Sequence, residues 1–248
     1  MKIGILVVAY NAESTIKETV FRIPKTFLKS IHQVLISDDK SIDSTSNVAN
    51  ELKNSTELPI KVVTQPLNLG YGGNQKFGYF WAMENNWDVV VLLHADGQYA
   101  PEFIEKMVEP IIEGNFDAVF GSRMIDRKRA LQGGMPLYKW IGNQVLTKIQ
   151  NLLTNQTFSE WHSGYRAYRI SKLRQIPLHD LNNGFRFDTQ IILELIKIRA
   201  KFKEIPIPTF YGNEVSHVNG LEYAREIIWD TIRHRVKNGV SKECNIVK

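Results

Sequence analysis

An α/β fold, with a doubly wound and mostly parallel sheet flanked by helices, is what the 248-residue sequence predicts, on three observations. Short apolar runs alternate with stretches of helical periodicity through the first half of the chain. One run, Val89 to Leu93, is apolar without alternation, as in a strand covered on both faces. Acids, amides and an arginine follow directly after the strands, where ligands bind in sheets of this kind.

Ile3 to Ala9 is the first strand. Its apolar run stops at Asn11 and gives way to Ile16, Val20 and Ile23 at helical spacing up to Pro24, so it is a strand rather than the core of a signal peptide. Val34 to Ser37 is the second strand, followed by a helix that Asp43 or Ser44 can cap. Ile60 to Thr64 is the third, leading through a glycine-rich turn to a helix carrying Phe77, Phe80 and Trp81. After Val89 to Leu93, Pro101 suits the first position of the next helix, and Asp117 to Gly121 is the fifth strand. The alternation then loosens. "RKRALQGGMP" reads as a basic loop, Leu137 to Leu153 as a helix, Gly164 to Ile170 as a strand, Asp188 to Ile198 as a helix and Lys203 to Pro206 as a short edge strand. Gly220 to Lys237 is an amphipathic helix with a basic end. No repeat or linker divides the chain, so residues 1–217 are expected to form one α/β domain, with 218–248 an appended basic helix and tail.

Composition narrows the partners. The formal charge of +5 and pI near 9.1 are mild, and suit anionic small molecules or a membrane surface. The basic-plus-aromatic signatures of RNA-binding modules are absent, so no nucleic acid is expected. Cys244 is the single cysteine, which excludes an internal disulfide or a cysteine metal cluster and suits a reducing, cytoplasmic compartment. No apolar stretch reaches the ~18 to 20 residues of a membrane span. Any membrane contact is expected to be peripheral, at the cytoplasmic face.

Two familiar phosphate-binding devices are missing. The first turn, "AYNAES", lacks the glycines of a dinucleotide fingerprint, "GYGGNQKFG" has Gln75 where its third glycine belongs, and no Walker A sequence occurs. Acidic strand ends stand in their place. "ISDDKSIDST" puts Asp38 and Asp39 side by side, and adjacent carboxylates repel unless a cation, a base edge or a ribose hydroxyl satisfies them. A helix cap accounts for Asp43 or Ser44 but not for two further acids. "HADGQ" offers Asp96 and Gln98 on a short turn, enough for a hard divalent cation that completes its shell with substrate phosphate and water. Alternatively Asp96 merely initiates the turn toward Pro101. His94 alone is weak support for zinc.

These stretches together resemble the family 2 glycosyltransferases of GT-A fold, in the dolichol-phosphate mannose synthase-like branch. The matching pieces are "VVAYNAE", "DDKSIDST", "NLGYGGNQKFG", "HADGQYAPE", "GSR", "SGYRAYR" and "FDTQIILELI…EIPIPTFYG", spread over most of residues 1–217. The resemblance implies an inverting transfer of one sugar from a UDP- or GDP-linked donor, with Mg²⁺ or Mn²⁺ as cofactor. It implies donor contacts at Ala9, Tyr10, Asn11, Glu13, Asp38, Asp39, Gly70, Asn74, His94, Ala95 and Asp96, and metal ligation by Asp96 and Gln98. It further implies acceptor contacts at Arg123, Lys139, Asn143, Ser163, Arg166 and Asp188, with Asp96, Arg123 and Arg166 serving catalysis. Two positions depart from the pattern: Lys40 replaces the glycine of DDGS, and His94 replaces the first acid of D-x-D. The second change leaves the metal to Asp96, Gln98 and the diphosphate.

The expected acceptor is a polyprenyl phosphate, already anionic at neutral pH and so requiring cations rather than a base. A glycan or small-molecule hydroxyl is the alternative, and it would need a general base such as Asp188 or Glu214. The Q-x-x-R-W motif of processive synthases is missing, which favours transfer of one sugar. His162 and His217 read as structural residues, and Asp188 either positions the acceptor or caps its helix. The C-terminal helix either packs on the domain or lies at an interface with anionic lipid. Sugar nucleotidylyltransferases are excluded by the first turn, and a non-catalytic nucleotide-sugar-binding protein is the remaining class.

Overall fold

A computed structural model of the chain describes residues 1–210, 219–244 and 246–248. The strands are β1 (Ile3–Ala9), β2 (Ile31–Asp38), β3 (Ile60–Thr64), β4 (Val89–His94), β5 (Ala118–Ser122), β6 (Arg166–Arg169), β7 (Phe202–Pro206) and β8 (Ile246–Val247). They form one sheet in the order β3-β2-β1-β4-β6-β5-β7-β8. All pairings are parallel except those of β6, which runs antiparallel between β4 and β5. Helices α1 (Ile16–Phe21), α2 (Thr45–Ser55), α3 (Tyr71–Glu84) and α4 (Ile104–Ile112) connect the first five strands. Next come α5 (Arg127–Gln132), α6 (Leu137–Thr154), α7 (Ile170–Leu173), α8 (Phe187–Lys197) and α9 (Gly220–Asn238).

The strand pleat explains the two layers. Side chains alternate across a strand, so β1 sends Ile5 and Val7 to one face and Leu6 and Val8 to the other. The first set packs with Ile16, Val20, Leu52, Met107 and Ile111 of α1, α2 and α4. The second packs with Tyr79, Phe187, Ile191 and Leu195 of α3 and α8. Both faces are covered, which is why Val89 to Leu93 carries no polar alternation.

Two readings of the second half change, and one of the first. The basic segment expected to be a loop contains α5, whose cap Asp126 accepts from the Arg129 amide at 3.3 Å. Six residues are too few for a hydrophobic period to show. β7 is not an edge strand: Phe202 pairs with Ile246 of the tail, a contact across a long sequence separation that no local pattern reveals. The second strand also starts three residues earlier, at Ile31, where exposed His32 breaks the apolar run. α9 docks on α6 and α8. Arg186 donates to both carboxylate oxygens of Asp230, at 2.9 Å through Nε and 2.6 Å through a terminal nitrogen, and Arg235 donates to the Leu153 carbonyl at 3.0 Å. No helix among the described residues is long and apolar enough to cross a membrane.

Candidate active site

Parallel register brings the chemistry to one edge. Ala9 lies opposite Asp38, and Val8 opposite His94, so the ends of β2, β1 and β4 are consecutive neighbours. Two strand spacings, about 10 Å, separate the Asp38 and His94 columns, a span suited to a nucleoside joined to its diphosphate. Because β6 is antiparallel, its start arrives at the same edge, with Arg166 opposite both Leu92 and Phe120. Arg123 follows β5 there.

At the end of β2, Asp38 is fully buried. One of its oxygens accepts from the Ser41 amide and hydroxyl, and the other, Oδ2, has no partner among the described residues. Asp39 is buried too and accepts from the Leu69 amide at 2.7 Å. Burial, with Asp38 alongside, pushes its carboxyl above the ordinary range. Asn11, in the left-handed region at φ 49°, accepts from the Ile42 amide at 3.0 Å. Glu13 accepts from the Ser44 amide at 2.8 Å, so it holds the start of α2 in place. Tyr10 is exposed at the mouth of this loop, and the Ala9 carbonyl accepts from the Asp39 amide at 2.9 Å. Lys40 also adopts a left-handed conformation, φ 62°. The turn therefore demands what the usual glycine supplies freely, and Lys40 is strained there.

Gly70 has φ 78°, and a Cβ there would meet the Asn183 carbonyl at 2.8 Å. Its role is to let two loops approach. Asn74 lies deeper than expected for a donor contact: its amide donates to the Ser37 carbonyl at 2.9 Å and accepts from the Ser37 hydroxyl. It braces β2 from behind.

Asp96 folds into a tight turn, accepting from the Gln98 amide at 3.0 Å. Among the described residues it has no basic partner within ion-pair distance. No cluster of three His, Cys, Asp or Glu groups able to hold a metal occurs among the described residues. The donor set is thus one carboxylate and Gln98, which fits a hard cation shared with a diphosphate and does not fit a closed protein cage. His94 turns inward. Its ring packs edge-on against Tyr71 and Tyr99, at centroid distances of 5.5 and 5.1 Å, and Nε2 lies 3.4 Å from the Tyr71 hydroxyl. Burial lowers its pKa, so the imidazole is neutral at neutral pH. Gly164 makes room for it, since a Cβ there would come within 2.7 Å of the ring. The carbonyl of Ala95, between His94 and Asp96, accepts from the Thr19 hydroxyl at 3.3 Å.

Of the three cations expected to meet the acceptor, Arg166 and Arg123 are already engaged. Arg166 is 1% exposed and donates to the carbonyls of Ser163, Asp188 and Trp161 at 2.9, 2.9 and 3.1 Å. Its guanidinium lies 3.4 Å from the Asp188 carboxylate, and it faces the protein interior, so it positions the loop before β6. Arg123 is clasped by buried Glu160, through its amide at 2.7 Å and Nε at 3.0 Å. Asn143 donates to the same Glu160 at 2.7 Å. Burial alone would raise the Glu160 carboxyl, yet Arg123 and Asn143 bring it below the ordinary value. Ser163 is buried, with its hydroxyl accepting from the Tyr165 amide at 3.3 Å, and Lys139 is half-exposed on α6. Asp188 is not a cap, because Arg186 holds that position. It accepts from Tyr71 at 2.8 Å and Gln75 at 3.3 Å.

Tyr71, Gln75, Tyr99 and Glu160 are the residues that sequence reasoning missed. Tyr71 ties Asp188 to His94, and the Tyr99 hydroxyl accepts from the Gly164 amide at 2.7 Å, joining the turn that follows Asp96 to the segment before β6. A charged residue inside "FSEW" was the one available signal for Glu160. His162 is neutral, lowered by burial to about 4, with Nδ1 3.1 Å from the Tyr223 hydroxyl. His217 and Glu214 lie outside the described residues.

Comparison with known proteins gives concordant results. The family model described as Glycosyl transferase family 2 matches residues 4–176. The UDP-N-acetylglucosamine–dolichyl-phosphate N-acetylglucosaminyltransferase of Methanococcus voltae is 29% identical over 84% of this chain and 86% of its own length. The undecaprenyl-phosphate mannosyltransferase of Micrococcus luteus is 25% identical over 87% of this chain and 86% of its own. Among solved structures, glucosyl-3-phosphoglycerate synthase from Mycobacterium tuberculosis, in complex with Mn²⁺ and UDP-glucose, superposes with a TM-score of 0.66 at 17% identity. That match covers 97% of this chain and 80% of the other.

Proposed function

The chain belongs to glycosyl transferase family 2, and from that premise we propose that it moves one sugar, with inversion, from a nucleoside diphosphate sugar to a polyprenyl phosphate. The observation that carries this reading is the pair of acidic strand ends set one strand apart. Buried Asp38 has an oxygen without a partner, and Asp96 is a carboxylate with no cationic partner among the described residues. The first is suited to an N–H or hydroxyl of the nucleoside, the second to a cation on the diphosphate. The two named relatives act on dolichyl and undecaprenyl phosphates, which supports a lipid-phosphate acceptor.

In this mechanism Asp38 and Asp39 orient the nucleoside, and the turn of Asp96 and Gln98 would hold Mg²⁺ or Mn²⁺. The metal, when bound, neutralises charge developing on the leaving diphosphate. The acceptor phosphate oxygen forms the new bond to the anomeric carbon as the bond to the donor diphosphate breaks, and the nucleoside diphosphate departs with that electron pair. No proton has to be removed from a phosphate anion, so no base is required. Arg166 and Arg123 shape the acceptor wall through Asp188 and Glu160. The exposed bases Arg127 and Lys128 are the groups offered to the acceptor phosphate.

The test offers UDP- and GDP-sugars with polyprenyl phosphate and with neutral sugar acceptors side by side, with and without EDTA. Transfer to the lipid phosphate that stops on chelation is expected. Transfer confined to sugar hydroxyls would overturn the acceptor, and full activity in EDTA would overturn the metal.

A further inference from the structure

Helix α6 is inside out. Its buried side chains are all polar: Asn143, Thr147, Gln150 and Thr154. Its exposed ones include Leu137, Tyr138, Ile141, Val145 and Leu152, with Tyr138 71% and Leu152 79% accessible. At 100° per residue these five fall within an arc of about 100°, and the four buried polar positions fall on the opposite side. A helix facing water shows the reverse pattern, and contiguous exposed apolar surface marks a site of interaction.

The inner face has its own reason. Asn143 reaches Glu160 at 2.7 Å, Thr147 reaches Asn143 at 3.2 Å, and Gln150 reaches Thr231 of α9 at 3.5 Å, so α6 is held by polar contacts to the acceptor wall and to α9. The outer stripe has no such reason within the described residues.

Charge decides what covers it. Across α5 and α6 there are five bases, Arg127, Lys128, Arg129, Lys139 and Lys148, and no acid inside either helix. Beside the stripe, a cavity of about 1050 Å³ opens between the two helices and is lined by Arg127, Lys128, Lys148 and Lys248 against one acid, Asp126. A second copy of the chain would bring like charge against like charge. An anionic bilayer offers both hydrocarbon for the stripe and negative headgroups for its basic flank. We infer that the outer face of α6, with α5 beside it, is the surface by which the protein docks on anionic membrane, ahead of the terminal helix α9. This rests on the lipid-phosphate reading of the acceptor. The helix that forms the acceptor wall through Asn143 would itself lie in the interface from which the acceptor is drawn.

The experiment measures cosedimentation of the full chain with vesicles of phosphatidylcholine alone or mixed with phosphatidylglycerol. It uses the unmodified protein and the double variant Ile141→Asp/Val145→Asp, whose positions are exposed and whose fold is checked by circular dichroism. Binding to the mixed vesicles is expected, falling at least about tenfold in the variant, since each site loses contact with hydrocarbon. In parallel, transfer to a short-chain, water-soluble polyprenyl phosphate is measured and should be the same for both proteins. Undiminished vesicle binding by the folded variant overturns the inference. So does sedimentation showing a dimer that the variant abolishes. Vesicle binding that behaves as expected, with no transfer to the soluble lipid phosphate, supports the docking surface and overturns only the acceptor.

Discussion

Replacing Asp39 by asparagine should move stability and donor affinity in opposite directions. The substitution is isosteric, and the side-chain carbonyl can still accept from the Leu69 amide at 2.7 Å. What it removes is a charge that burial and neighbouring Asp38 disfavour. Because the folded-state pKa lies above the ordinary carboxylate value, ionised Asp39 destabilises the fold. That penalty is absent below the unfolded pKa of ~3.9 and grows as pH rises toward the folded pKa. Asp39→Asn should therefore melt higher than the unmodified chain at pH 7, with the difference vanishing near pH ~3.5. Donor binding should weaken by one charge-assisted hydrogen bond, about 1.5 to 3 kcal/mol, which is roughly 10- to 150-fold in Kd. Differential scanning fluorimetry across pH and calorimetry with UDP- and GDP-sugars read the two quantities. A variant that melts higher and binds either donor with unchanged affinity would refute the nucleotide role of this edge. One that melts lower at pH 7 would refute the electrostatic argument.

Three further outcomes follow from particular contacts. Lys40→Gly should stabilise by about 0.5 to 1 kcal/mol, the left-handed penalty of ~1 to 2 less the extra chain entropy of glycine, raising Tm by roughly 1 to 4 °C in a thermal melt. Glu160→Gln removes the buried negative charge that faces the Arg123 guanidinium and should cost about 3 kcal/mol or more in urea unfolding. Because the Glu160 carboxyl is held below its ordinary value, its contribution is present above pH ~4.3 and lost as pH falls through the folded pKa, so the gap between the two proteins should close in acid. His94→Asp adds a second acid beside Asp96 and should tighten Mn²⁺ binding in the presence of nucleoside diphosphate, followed by calorimetry. Unchanged Mn²⁺ affinity would place that position away from the metal.

The first half of the fold was legible because its signals are local. Val89 to Leu93 announces a strand buried on both faces, and acids placed directly after strands must gather at one edge once those strands run parallel. That is enough to locate Asp38, Asp39 and Asp96 and to recognise the family. The acceptor side was legible only as a set of residue types. Arginines in "GSR" and "SGYRAYR" suggest phosphate contacts, yet tertiary structure turns both toward partners far away in sequence, Glu160 and Asp188. A guanidinium that enters the interior must be met by carbonyls or carboxylates, and which ones is settled by the antiparallel entry of β6 between β4 and β5, not by local pattern. The same holds for Gly164, whose missing side chain is explained only by the His94 ring it faces, and for Ile246, which makes β7 an interior strand. Helix α6 shows the limit most plainly. Its periodicity declares a helix and an apolar stripe, but hydrophobicity alone assigns that stripe to the core, and only the packed structure shows polar residues inside and leucine, isoleucine and valine outside. Sequence determines which residues share a face; the three-dimensional fold decides whether that face meets protein or something else, because burial is a property of the whole chain.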